Sequence, residues 1–119
     1  MVIGSRCLGG CESGAMYAVQ VIGNTIACLI IRLRFKVGVT DLGPLRAIHV
    51  DRLLQLDMSG TRYGWTAEMQ VKAYSRGYNV IETPVLVKAR RSGESKISGT
   101  ARGVFFASMD ILRAVIFLR

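Results

Sequence analysis

The chain has 119 residues, half of them apolar, and carries 16 Lys and Arg against 8 Asp and Glu, which gives a net charge of +8. This length is that of one domain or part of one, and the apolar content is enough to bury a core. The positive charge favours anionic partners, namely nucleic acid, phosphorylated ligands or an acidic membrane surface, without choosing among them.

The predicted elements follow the order strand, helix, strand, helix, helix, strand, helix. Strands are predicted at residues 2–3, 45–49 and 79–88, and helices at residues 16–35, 50–56, 66–76 and 103–119. Residues 5–14 contain three glycines and are predicted to form a loop. Pro84 indicates an edge position or a bulge for the last strand. Alternating strands and helices of this kind predict an α/β fold.

Membrane-spanning segments are not predicted, because no apolar run reaches the roughly 18 uninterrupted residues that a spanning helix needs. The first residues also lack the long apolar run of a signal peptide. The closing helix has Phe105, Met109, Leu112 and Ile116 in one stripe. Such a stripe either packs on the core or lies on a membrane surface.

The cysteines at positions 7, 11 and 28 are odd in number and follow no secretory signal, so we interpret them as reduced thiols in a cytosolic setting. Cys7 and Cys11 are not followed by a second metal-binding pair, and His49 is the only histidine, so no metal site is predicted. The sequence also lacks a glycine-rich phosphate loop, a serine–histidine arrangement and an Asp-x-Asp pair.

The strongest local signal is the basic loop at residues 90–100. It holds three cations, three serines, a threonine and two glycines, with a single carboxylate. Arg grips two phosphate oxygens at once, Lys acts as a point charge, and hydroxyls complete such a site. The alternative interpretation is a solvated charged loop.

Four strings occur together in an informative order. They are GSR at 4–6, TDLGPLRAI at 40–48, YGWTAEMQ at 63–70, and ETPV at 82–85 followed by GESK at 93–96. Their order and spacing resemble the C-terminal half of family 2 glycosyltransferases, over nearly the whole chain. The most similar type transfers a sugar from a nucleotide to dolichyl phosphate or another polyprenyl phosphate.

The resemblance implies that residues 1–119 are the acceptor-side part of a single domain with a GT-A fold. It implies a nucleotide-sugar donor, a lipid-phosphate acceptor and Mg²⁺ or Mn²⁺ in the complete enzyme. The nucleotide-binding strands and the Asp-x-Asp metal site of the N-terminal half are missing. We therefore expect a fragment that is inactive alone, has no metal ligands of its own, and pairs with a separate N-terminal half.

The resemblance also assigns roles to residues in the first half of the chain. Arg6 matches a contact to the acceptor phosphate; the alternative is an ordinary surface arginine. Asp41 lies in the turn that faces the sugar, where its carboxylate either binds sugar hydroxyls or caps the turn. Arg46 is expected to hold that turn. Cys7 and Cys11 depart from the family, which has polar or charged residues there more often.

Further roles fall in the second half. Glu68 stands where many members place a carboxylate near the acceptor; it either orients the acceptor or stabilises the helix that it opens. Trp65 stacks on a sugar or nucleotide ring, or lines the core. Arg91, Ser95 and Lys96 match a loop that clamps the departing diphosphate, where negative charge accumulates during transfer.

Two other classes of function remain open from the sequence. A basic α/β module would bind nucleic acid or an anionic membrane surface; scattered aromatic residues make nucleic acid the less favoured partner. A non-catalytic remnant would expose sheet edges and need a partner chain. The expected location is the cytoplasm, including the cytoplasmic face of the membrane.

Overall fold

A computed structural model describes residues 1–89, 91–93 and 101–117, and it is a mixed α/β structure. Its elements are β1 (Val2–Ser5), α1 (Arg6–Gly9), α2 (Ala18–Phe35), β2 (Arg46–Ala47), α3 (Val50–Gln55), α4 (Trp65–Ser75), β3 (Ile81–Pro84) and α5 (Ala101–Phe117). The predicted order of strands and helices is confirmed, with α1 as an addition.

The three strands form one sheet in the order β2-β1-β3. β1 pairs in parallel with β3 and antiparallel with β2. Both outer strands are shorter than the predicted 45–49 and 79–88. β1 has only four residues to pair with before the chain turns into α1, so the ladder with β3 ends at Ser5 and Pro84, and only an isolated bridge joins Cys11 to Val87.

The prediction of a loop throughout residues 5–14 is wrong at its start, because α1 forms one helical turn there. Ser5 caps this turn: its Oγ accepts a hydrogen bond from the backbone N of Leu8 at 3.2 Å. Gly9 lets the turn lie against the chain after β3, since a Cβ at this position would come within 2.3 Å of the backbone of Val85.

The three longer helices pack around one main core. Its buried residues come from α2, α4, α5 and the segment between α2 and β2: Ala27, Cys28, Ile31, Val39, Leu42, Ala67, Val71, Ala114 and Val115. A second cluster of Leu56, Met69 and Ala73 lies on the other side of α4. α4 is therefore covered on two sides, and its apolar residues Met69, Val71 and Ala73 are buried.

α2 and α5 are covered on one side only. The α5 stripe predicted from the sequence is not in the core, because Phe105, Met109 and Ile116 are exposed while Ala114 and Val115 are buried. α2 is also long and apolar enough to cross a membrane, judged by length and composition alone. The requirement of an uninterrupted apolar run missed this helix, because Gln20, Gly23, Asn24 and Thr25 interrupt its sequence.

Candidate functional site

The centre of the site is an ion pair between Arg6, at the start of α1, and Asp41. The Asp41 side chain is fully buried, and that of Arg6 is 17% exposed. Arg6 donates from Nε to Oδ2 at 2.9 Å and from Nη2 to Oδ1 at 2.7 Å, while its backbone N also donates to Oδ2. These hydrogen bonds hold the pKa of Arg6 above its usual value. Asp41 thus fixes the direction of the guanidinium group, as bidentate pairs do.

Glu82 on β3 holds the backbone next to Asp41 in place. Its carboxylate accepts hydrogen bonds from the backbone N of Thr40, the hydroxyl of Thr40 and the backbone N of Asp41, at 2.6–3.1 Å. The Thr40 hydroxyl in turn lies 2.7 Å from that of Ser5. The position of Asp41 is therefore set by the pairing of β1 with β3.

Asn24 and Gln70 support the same turn from two helices. Asn24 of α2 accepts a hydrogen bond from the backbone N of Leu42 at 2.9 Å and donates to the carbonyl of Thr40 at 3.3 Å. Gln70 of α4 donates to the carbonyl of Asp41 at 3.4 Å. Both side chains are buried, so these contacts satisfy groups that have left water.

Arg46 connects the turn to α4. Its guanidinium donates to the carbonyls of Gly43 and Thr66 and to the side-chain oxygen of Gln70. Burial lowers the pKa of Arg46 to about 10, while the nearby Asp41 carboxylate opposes that shift. Arg46 stays charged at neutral pH. Its guanidinium stabilises the turn through hydrogen bonds to these protein oxygens.

A cavity of about 370 Å³ opens beside Arg6, between α2 and α5. Its walls are mainly apolar: Val19, Gly23, Leu42, Pro44, Tyr63, Val104, Ala107 and Ile111. Its volume lies within the range of small-molecule sites, roughly 300–1,000 Å³. A single oriented cation beside an apolar cavity suits a ligand with an anionic head and an apolar body.

Glu68 lies apart from this pair, buried beneath the loop that precedes α4. It accepts hydrogen bonds from the backbone N and hydroxyl of Ser59, from the backbone N of Gly60 and from the ammonium group of Lys72 at 2.7–3.0 Å. Burial alone would raise its pKa, but Lys72 and the N–H and O–H donors lower the pKa of Glu68 to about 2. This carboxylate closes a loop and is a weak proton acceptor.

The remaining predicted site residues are spread out. Trp65 opens α4 with a partly exposed side chain, and the cavity is lined by its neighbours Tyr63 and Thr66. Arg91 is exposed. Ser95 and Lys96 lie outside the described residues. Their assignment to a diphosphate clamp stays a prediction, as do the roles assigned to Trp65 and Arg91.

Metal binding finds no support within residues 1–89, 91–93 and 101–117, where no group of three His, Cys, Asp or Glu side chains could hold an ion. The expectation that residues outside this chain hold Mg²⁺ or Mn²⁺ in the complete enzyme stays a prediction. The three cysteines are free thiols. Cys28 is buried, and burial raises its pKa to about 12, so it behaves as a small apolar residue.

The sequence does not predict three residues that support the Asp41 turn, namely Glu82, Asn24 and Gln70. Asn24 gave a usable signal, because a buried amide inside an otherwise apolar helix needs partners of its own. Glu82 gave none, since its partners lie 41 and 42 residues away in the chain.

Comparison with known proteins supports a general function in glycosyl transfer. The uncharacterized glycosyltransferase Rv0539 of Mycobacterium tuberculosis strain H37Rv is 31% identical over 94 residues. The uncharacterized glycosyltransferase Mb0553 of Mycobacterium bovis shows the same identity over the same length. Each match covers 79% of this chain and 43% of the relative, so the chain spans less than half the length of these proteins. No family model and no solved structure matches.

Proposed function

We propose that this chain is the acceptor-side half of a family 2 glycosyltransferase with a GT-A fold, and that it binds a polyprenyl phosphate. In this proposal a nucleotide sugar is the donor. The observation that carries the proposal is the guanidinium of Arg6, fixed by the buried Asp41 at the edge of an apolar cavity. The similarity to mycobacterial glycosyltransferases supports the transfer reaction in general.

Arg6 binds the acceptor phosphate in this scheme. Asp41 occupies its Nε and Nη2, and Nη1 remains for a phosphate oxygen. Because the pair is neutral overall, Arg6 contributes direction more than net charge, and further cations are needed. The basic loop with Arg91, Ser95 and Lys96 is the proposed source of that charge.

The cavity receives the first units of the isoprenoid tail. Gly23 forms part of its α2 wall, and a Cβ at this position would meet no atom within 4 Å. Val104, Ala107 and Ile111 supply the opposing wall from α5. Apolar contact on both sides contributes affinity that is independent of the phosphate.

Transfer in this scheme forms one bond and breaks one bond. A phosphate oxygen of the acceptor attacks the anomeric carbon of the donor sugar, and the bond from that carbon to the nucleoside diphosphate breaks. The acceptor phosphate is already ionised, so no base is needed to remove a proton. This fits a saturated Glu68 of low pKa, which positions the loop before α4 and takes no proton. The residues of this chain take part in this scheme by binding and orienting the acceptor, and none of them is assigned to a metal.

The proposal is tested by calorimetric titration of the chain with geranyl phosphate, a short prenyl phosphate, beside inorganic phosphate and geraniol. We expect geranyl phosphate to bind more tightly than inorganic phosphate and more tightly than geraniol. Gly23→Leu should weaken binding of geranyl phosphate by filling the cavity. Arg6→Lys should also weaken it, because lysine keeps the charge and loses the planar fork.

Arg52→Ala is the matched control, since Arg52 is an exposed arginine on α3, which contributes nothing to the cavity lining. It should bind geranyl phosphate like the original chain. Equal binding by the original chain, Gly23→Leu and Arg6→Lys would refute the proposed acceptor site. Gly23→Leu keeps the test valid if Arg6→Lys disturbs the fold, because leucine is a good helix former.

A further inference from the structure

The outward side of α2 is an unbroken apolar ridge. Its residues follow the spacing i, i+4, i+7, i+11 and are all exposed: Ile22, Ile26, Leu29 and Leu33. At 100° per residue, they lie opposite the buried side of the helix, formed by Asn24, Ala27, Cys28 and Ile31. An apolar ridge turned away from the core is not explained by packing within the chain.

α5 repeats this arrangement. Phe105, Met109 and Ile116 are exposed and Leu112 is partly buried, again at i, i+4, i+7 and i+11. α2 and α5 pack against each other, and Arg34 of α2 donates to the carbonyl of Val115 at 2.7 Å. Both ridges point away from the core cluster that the two helices share. We call them together the two-ridge surface; exposed apolar residues grouped on two helices that pack against each other mark a candidate interaction site.

Basic residues accompany both ridges along the chain. Residues 13–40 contain no acidic residue, and α2 ends with Arg32, Arg34 and then Lys36. α5 contains two basic residues, Arg102 and Arg113, and one acidic residue, Asp110. Apolar ridges with flanking Lys and Arg are the composition of helices that lie in the interface of an anionic membrane.

We propose that the two-ridge surface docks on an anionic lipid bilayer, with α2 and α5 lying along the membrane at the boundary between headgroups and acyl chains. A second copy of the chain is a poorer occupant, because it would bring two chains of charge +8 together. Spanning by α2 would remove Asn24 from Leu42 and Thr40, to which it is hydrogen-bonded. This inference extends the proposed function by placing the protein on the membrane, and it does not depend on the identity of the acceptor.

The test is co-sedimentation with vesicles of phosphatidylcholine containing phosphatidylglycerol, compared with vesicles of phosphatidylcholine alone. We expect binding to the anionic vesicles that weakens as salt is added. Leu33→Glu should reduce partition by roughly tenfold or more, because burial of one leucine contributes that much. Met109→Glu should act in the same direction from α5.

Leu54→Glu on α3 is the matched control, since Leu54 is 73% exposed and Leu33 is 74% exposed. It should sediment like the original chain. Failure to bind anionic vesicles, or equal losses in Leu33→Glu and Leu54→Glu, would overturn the inference. So would a concentration-dependent dimer in analytical ultracentrifugation that Leu33→Glu abolishes.

Arg6→Lys separates the two proposals. It should lose affinity for geranyl phosphate in solution while it keeps its binding to vesicles, because Arg6 lies at the cavity and not on either ridge. If the original chain binds vesicles and does not bind geranyl phosphate, only the acceptor proposal is refuted. The opposite result would refute only membrane docking.

Discussion

Asp41 and Glu68 are both buried carboxylates, yet their partners differ in kind. Asp41 holds the guanidinium of Arg6, which reaches the cavity between α2 and α5. Glu68 holds backbone N–H groups of Ser59 and Gly60 and the ammonium of Lys72. One carboxylate orients a group that faces the cavity, and the other closes a loop. Burial of a carboxylate is therefore not enough to assign it a catalytic role.

The supports of the two carboxylates differ as well. Around Asp41, partners come from β1, α2, α4 and β3, so the turn is fixed only when the whole fold is assembled. Around Glu68, the partners lie four to nine residues away in the chain. Substitutions at the first region should thus disturb the global fold, and those at the second should act more locally.

The largest effect is expected for Asp41→Ala, which should lower the free energy of unfolding by about 3–5 kcal/mol, because it leaves a mostly buried arginine without its partner. Urea denaturation measures this change. Asp51→Ala is the control, since Asp51 pairs with His49 on the surface and is 74% exposed; it should change stability by less than about 0.5 kcal/mol. Similar losses in both variants would contradict the central role of the Asp41 pair.

Glu68 should make stability depend on pH. Its pKa is lowered from 4.5 to about 2 in the folded chain, so the carboxylate stabilises the fold above pH 4.5 and this contribution is lost as the pH falls towards 2. The contribution is on the order of 3 kcal/mol. Urea denaturation of the original chain and of Glu68→Gln should give a gap that is widest near neutral pH. A gap that does not narrow in acid would show that another group carries the dependence.

Gly43, near Asp41, and Gly60, near Glu68, allow the rigidity of the two regions to be compared. A Cβ on Gly43 would lie 2.2 Å from the backbone oxygen of Gly4, whereas one on Gly60 would lie 2.3 Å from the side-chain oxygen of Glu68. Gly43→Ala should cost about 1–3 kcal/mol, as overpacking against backbone does, and Gly60→Ala should cost less. Gly38→Ala is the control, because a Cβ there meets nothing within 4 Å. Thermal melts that rank Gly60→Ala as the more damaging variant would reverse this comparison.

The smallest effect is expected at Gly23 in the middle of α2. Gly23→Ala should raise the free energy of unfolding by about 0.5–1 kcal/mol, because alanine favours the helix and a Cβ here meets no neighbour. The measurement is the midpoint of urea denaturation. A loss of stability would mean that the cavity wall at Gly23 is tighter than its geometry indicates.

Much of the fold follows from local patterns in the chain. The sequence predicts the order of elements, the apolar residues of α4 and the interruptions at glycine and proline. These features depend on neighbours within one or two helical turns. The strand ends were less predictable: β3 stops at Pro84 because β1 ends at Ser5, which no pattern in residues 79–88 reveals.

Residues of the candidate site can be proposed from the sequence, but their hydrogen-bond partners cannot. Arg6, Asp41, Arg46 and Glu68 stand in strings that resemble a known family. The pairing of Arg6 with Asp41 spans 35 residues, and that of Thr40 with Glu82 spans 42. Such contacts form only when strands align and helices pack. The sequence alone therefore left open whether Asp41 binds a sugar or caps a turn, and it did not indicate that Asp41 orients an arginine.

The sequence by itself determined the helices α2 to α5, the excess of positive charge and the apolar stripe of α5. Only the tertiary structure decided which sides of α2 and α5 turn inwards. Both helices are apolar on opposite sides, so periodicity offers two equivalent choices for the buried side. The buried hydrogen bonds of Asn24 and the small residues Ala27, Ala114 and Cys28 fit the close packing of the core. The larger aliphatic and aromatic residues are consequently left on the outside.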